Sequence, residues 1–387
     1  MAKIFKWNPN QTATGTGVSV ATVEDIATGI VEGVGMGCER ISVKTAIGRD
    51  GILYSTLTKE PAMTLKDGVL VASLEGESTN HVQYSYDFTN PYWVKRGGSS
   101  AIQNLISPRG INEACSITFA MSSSDDIYRT NILSSGSNNI ALSMWIKNTT
   151  NSLKKIKINN AQSPSSGDWR VDLSMIPNEW TRIDKNHESV TVVIPMADTS
   201  GFGVQFQSLI ASEFVTIGVW GVQAEVSENT SSYIPTNGST QTRGADVGFK
   251  TPDISSLINL NSGVLEVEMA LYSLPTTDQR ISIFDENDTT NRIVLIWDSS
   301  SNLNVFYFVD DVATYSLAYN YDATTTHVLN YSFKEGEHIV MIGGVQVGVT
   351  GTGSVGTSNK GIVSFADRSD TLDLEANVNY LKFTSND

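Results

Sequence analysis

The chain has 387 residues, 41 acidic against 26 Lys and Arg, a formal net charge of −15, and only 17% of its residues charged. At roughly 100–200 residues per domain the length requires two or three cores, and a surface this acidic repels phosphate backbones, which argues against nucleic acid as a partner. No apolar run approaches the ~20 residues of a membrane span, the opening "MAKIFKWNPN" carries no secretory signal, and two cysteines, Cys38 and Cys115, make no disulfide framework.

Short runs rich in Val, Ile and aromatics, bounded by Ser, Thr, Asn and Gly, predict an all-β protein. Residues 1–80 form a small, Gly-rich N-terminal region. Within it Val18 to Gly35 fits one short helix or two strands, whereas "GILYSTL" and "AMTLKDGVLVASLEG" read as strands with a turn at Asp67-Gly68. Residues 81–247 carry strands such as "CSITFAM", "NIALSMWIKN", "LKKIKINN", "WRVDLSM", "GFGVQFQS" and "FVTIGVWGVQAEV". Their alternation of apolar and polar residues marks sheets wet on one face, and their number suggests a jelly roll. Residues 248–387 carry a second set, from "GVLEVEM" to "VNYLKFTSN", with Gly343-Gly344 suited to a type I′ hairpin turn. The segment around Pro252 is the expected hinge. The expected architecture is two tandem jelly-roll β-sandwiches preceded by a small attachment region. No heptad pattern supports a coiled coil.

Two stretches stand out. The first contains Gly68-Val69-Leu70, Thr79-Asn80, Tyr84-Ser85, Asp87-Phe88 and Trp93. The second runs from Gly221 to Glu225, then Ser232 to Thr236, then Thr242-Arg243-Gly244-Ala245-Asp246. In this order the motifs resemble the two ends of a carbohydrate-binding-like module common in bacteriophage structural proteins, over residues 65–250. The part after it resembles concanavalin A-like, laminin-G-like sandwiches. The resemblance implies a virion appendage (head fibre, decoration or tail-fibre-like) with lectin-like domains displayed on the virion surface. It further implies other virion proteins, capsid or tail, as partners through the N-terminal region, host or mucus glycans as ligands, and a homo-oligomer, a trimer by the habit of such appendages. The alternatives are a purely structural capsid- or tail-stabilising part and a polysaccharide depolymerase.

Sugar sites use aromatic faces beside polar side chains, because a pyranose has one apolar side. Trp145 and Trp220 alternate with polar neighbours and read as core, as does Trp93. Trp169 and Trp180 follow loops and are the candidate glycan-contacting side chains, with Tyr315 and Tyr319 as a groove on the second sandwich. Asp87 matches an early calcium ligand of related sandwiches, but Trp220 and Gly221 stand where the late acidic pair would be, so no metal is expected. Asp285, Glu286 and Asp288 read as a solvated loop. The four histidines stand far apart, no Gly-x-Ser-x-Gly elbow occurs, and Glu266 and Glu268 read as the wet face of an edge strand. No cofactor and no enzymatic activity are expected.

Overall fold

The computed structural model describes residues 3–7, 20–25, 31–35, 37–39, 44–47, 52–56, 63–66, 69–120, 125–136, 139–150, 154–163, 168–194, 196–197, 200–209, 214–250, 262–271, 278–285, 288–300, 302–354, 362–364 and 376–385. The protein is all-β, built from antiparallel sheets. Among the described residues the one helical element is a 3₁₀ turn at Leu173–Met175, capped by the Asp172 carboxylate accepting from Ser174 N. The hinge expected at Pro252 lies outside the described residues, as does Glu286.

Two compact units form. Unit 2 comprises Gly51–Tyr54 and Ser78–Arg243; unit 1 comprises Met1–Asp50, Ser55–Glu77 and Gly244–Asp387. Residues 1–80 are therefore not a region apart, contrary to the sequence-based division. Strand Lys3–Trp7 pairs with Ala376–Ser385 (Phe5 opposite Phe383), and Val69–Leu74 pairs with the same strand (Leu74 opposite Ala376). Strand Gly37–Glu39 pairs with Val247–Lys250. The physical reason is that strands leave a row of unpaired N–H and C=O groups on either side, and the N-terminal strands supply the partners.

Unit 1 is a sandwich of a 10-stranded and a 7-stranded sheet. Leu265, Val267, Tyr331, Phe333, Leu381 and Phe383 from the first meet Ile281, Ile283, Ile293, Leu295, Leu303 and Tyr307 from the second in one core. The period-2 alternation puts every second side chain of each strand into it. The turn at Gly343-Gly344 has φ of 58° and 80°, as a type I′ turn requires. Glu266 and Glu268 lie on Gly263–Leu271, which pairs on both sides and is not an edge strand. Glu266 stands opposite Lys382, an opposite-charge cross-strand pair.

Unit 2 is a sandwich of a 6-stranded and a 5-stranded sheet. Its core holds Phe88, Trp93, Ile117, Ile127, Met144, Ile158, Trp169, Phe206 and Ile217. Its two ends are stitched together, which explains most of the motif residues. Strand Ser78–Asn80 pairs with Gln241–Arg243, and Tyr84 bridges Asn237. Fully buried Asn80 donates to Val222 O and Ile234 O and accepts from Val82 N and Ala224 N. Ser85 Oγ lies 2.6 Å from Tyr233 OH, and Thr236 Oγ1 donates to Val82 O at 2.6 Å. Gln223 Oε1 accepts from Ile234 N, and Glu225 accepts from Ser231 N and from the hydroxyls of Ser78 and Ser231. Asp87 Oδ1 accepts from Thr89 N, Thr89 Oγ1 and Asn90 N, so it closes a turn.

Candidate functional site

The four aromatic side chains singled out in the sequence are not brought together: Trp169 and Trp180 belong to unit 2, Tyr315 and Tyr319 to unit 1. Trp169 is 1% exposed and sits in the unit 2 core, which removes it as a ligand face. It shares the phase of Val171 on Asp168–Asp172, and that phase points inward. Tyr315 is also core. Its ring stacks on His338 at 4.6 Å and 9°, beside Tyr331. Burial holds the Tyr315 hydroxyl above the usual phenol range. Tyr319, in the same phase on Val312–Asn320, is exposed.

His338 shows why this cluster is structural. Its Nε2 lies 3.1 Å from Gly353 O, and a carbonyl only accepts, so Nε2 carries the proton. Nδ1 then accepts from Tyr331 OH at 2.7 Å. Burial pushes the imidazole below its ordinary value, partly opposed by the Gly353 carbonyl.

Two of the predicted side chains remain available, Tyr319 on unit 1 and Trp180 on unit 2, the latter half-buried on the outer face of the 5-stranded sheet. In Asn112–Phe119, Ile117 and Phe119 point into the core, so Ser116 and Thr118 face out; in Val215–Val226, Ile217 and Val219 point in, so Thr216 and Gly218 face out. Ser116 stands opposite Gly218 and Thr118 opposite Thr216, and Gly218 stands opposite Lys147 on Ile140–Lys147. The Trp180 indole packs over this row. Its Cη2 is 3.0 Å from where a Cβ on Gly218 would stand, so glycine is what lets the ring approach the sheet. Its Nε1 donates to Ile106 O at 2.7 Å. The preceding loop is tied by Asn148, whose N donates to Pro177 O and whose Nδ2 donates to Leu173 O. The rim includes Asn104, which accepts from Ser116 Oγ at 2.8 Å, and Ile102 and Ile106, each 59% exposed. The result is an anchored aromatic edge beside hydroxyls, an amide and two aliphatic side chains; the buried carboxyl of Glu113, on the same strand as Ser116, accepts from Ser107 Oγ and Trp220 Nε1.

Trp145 and Trp220 are buried as expected, but not in the sandwich core. They stand opposite each other on the outer face of the same sheet, with Tyr233 covering both at 5.4 and 4.5 Å. Arg182 stacks on Trp145 and donates to Ser231 O at 2.5 Å. Strand periodicity cannot reveal this second cluster, because residues 227–236 fold back to make it. Among the described residues no group of three or more His, Cys, Asp or Glu gathers to hold a metal ion. The side chains of Asp285 and Asp288 lie outside the described ones.

No protein-family model matches the chain, and no curated protein is similar to it. Among solved structures, the chain shows 11% identity to a prokaryotic β-1,3-1,4-glucanase (lichenase) from a mouse hindgut metagenome, over 39% of this chain and 75% of that one, with a TM-score of 0.30. It shows 11% identity to the tandem CBM22 domains of a Paenibacillus barcinonensis protein, over 81% and 100%, at 0.28. It shows 8% identity to a tail fiber protein from an E. coli phage, over 88% and 46%, at 0.23. Likenesses this weak carry no functional argument. The chain is all-β, with two sandwiches, and its inserted unit presents an anchored, accessible tryptophan.

Proposed function

We propose that the chain is a non-enzymatic virion appendage protein, a head fibre, decoration or tail-fibre-like part, that adheres to host-surface or mucus glycans. The Trp180 platform is the observation that carries this: an indole anchored through Nε1 to Ile106 O, held against Gly218, beside Asn104, Ser116, Thr118 and Lys147. An anchored ring loses little freedom on binding and offers apolar area next to hydroxyl partners, the pairing a pyranose needs. The motif resemblance at both ends of unit 2 supports the virion role. Attachment falls to unit 1, into which the N-terminal strands are built. One such contact is weak; many copies on a particle, as trimers, supply avidity.

The test is a glycan array probed with the full chain in multivalent form. Retention on a defined set of glycans, lost in folded Trp180→Ala, is the expected result. A folded multivalent protein that retains no glycan and instead binds capsids or tails tightly would favour the purely structural role. Release of reducing ends from host polysaccharide would overturn the non-enzymatic role.

A further inference from the structure

Unit 1 holds a buried cluster of charged side chains drawn from three stretches of the chain. Lys44 is fully buried. Its Nζ is 2.7 Å from Asp246 Oδ2, 3.4 Å from Glu75 Oε2 and 2.5 Å from Ser73 O. Glu75 N donates to Asp246 Oδ2 at 2.9 Å, and Asp246 N donates to Glu75 O at 2.9 Å. Ser73 Oγ donates to Glu75 Oε1 at 3.0 Å. The side chains of Asp246 and Glu75 are 1% and 9% exposed. One amine and two carboxyl groups are thus fixed within contact of one another, out of water. Replacing such a buried ion pair by apolar residues is often neutral or stabilising, so its presence asks for another reason.

We propose that Lys44 and Asp246 condense into a side-chain amide, with Glu75 as the proton carrier. This stands independently of the glycan-binding role. Lys44 Nζ passes a proton to Glu75, and the neutral nitrogen attacks Asp246 Cγ, forming the C–N bond. Glu75 delivers that proton to the departing oxygen, then takes the second proton that Nζ loses as the amide forms and passes it to the same oxygen, so the Cγ–O bond breaks with water as the leaving group. Overall, two protons leave Nζ and one oxygen leaves Cγ, and they depart as one water. No oxidant, reductant or activating cofactor enters. In open water this condensation is unfavourable. Here the reacting groups are held together, which is worth effective concentrations on the order of 10⁵–10⁸ M, and the product removes two charges from a site where charge is costly to keep.

The placement gives the bond a purpose. Lys44 and Asp246 are 202 positions apart in sequence. The ring closed by the amide therefore contains the whole of unit 2, Gly51–Tyr54 and Ser78–Arg243, and Glu75 and Asp246 lie close to the points where the chain leaves unit 1 for Ser78–Arg243 and returns from it. A pull between the chain termini would bypass every residue inside the ring.

The experiment is intact-mass spectrometry of the denatured full chain, followed by digestion and fragment sequencing. The expected mass is one water below the sequence mass, with the loss carried by a branched peptide joining Lys44 to Asp246. Lys44→Arg, Asp246→Ala and Glu75→Gln each restore the sequence mass, the last while keeping both bond partners. Wild-type protein at full sequence mass after prolonged incubation overturns the proposal, whether or not the variants fold. So does a water loss located on any other peptide. Neither outcome bears on glycan retention by the array, so the two readings fail separately.

Discussion

Asn80→Ala is the sharpest perturbation of unit 2. The Asn80 side chain satisfies four buried backbone groups, two carbonyls and two N–H groups, that belong to three separate stretches of chain around residues 82, 222–224 and 234. Alanine leaves all four without that partner, at a position with no exposure to solvent. At about 1 kcal/mol for each group, the low end of the cost of an unsatisfied buried polar atom, the loss is about 4 kcal/mol. That is a large share of the ~5–15 kcal/mol that holds a domain folded, and at roughly 2–4 °C per kcal/mol it lowers the unit 2 transition by about 8–16 °C. Five of the seven tryptophans lie in unit 2, so tryptophan emission during heating reports mainly on it. Asn80→Asp keeps the acceptor but turns an oxygen toward two carbonyls, and it recovers little. A shift below about 2 °C for Asn80→Ala would refute the idea that this side chain closes the module.

Trp169 and Trp180, alike as sequence candidates, respond differently to truncation. Trp169→Ala empties a core site and costs about 3–5 kcal/mol, whereas Trp180→Ala costs about 1–2 kcal/mol, as read by urea unfolding. Gly221→Ala destabilises unit 2 by more than about 1 kcal/mol, because φ is +66° and the new methyl stands 2.8 Å from the Trp145 ring; thermal unfolding checks it. The buried His338 binds fewer protons folded than unfolded, since its folded value lies below the ordinary 6.5. Its contribution is therefore fully present above 6.5 and is lost as pH falls through 6.5 toward the lowered value and below. Tyr307, Tyr315, Tyr331 and Glu335 surround or influence it. Unfolding scans between pH 7 and pH 5 should show unit 1 losing stability, and His338→Gln should flatten that slope.

Much of the fold is legible in the chain. Alternation in "CSITF" and "GVLEVEM" assigns the inward phase correctly, and the Gly343-Gly344 turn follows from its residues. The same alternation also separates Trp169, in phase with inward Val171, from Trp180, in phase with outward Arg182; proximity to loops is the weaker guide. The rest depends on contacts far apart in sequence. Pairing of Lys3–Trp7 with Ala376–Ser385 joins the two ends of the chain, and no local pattern encodes it. The Trp145–Trp220–Tyr233 cluster exists because a later segment folds over an outward face. The Lys44 site joins residues from three distant stretches, and a single lysine in a strand gives no sign of it.

Glycan adhesion at the Trp180 platform is tested most directly by measuring retention of the array-selected glycan on oligomeric wild-type and Trp180→Ala proteins, each verified as folded. Loss of at least about tenfold in affinity, equivalent to about 1.4 kcal/mol for the ring contact, is the predicted result. Equal affinity in the two proteins would contradict it.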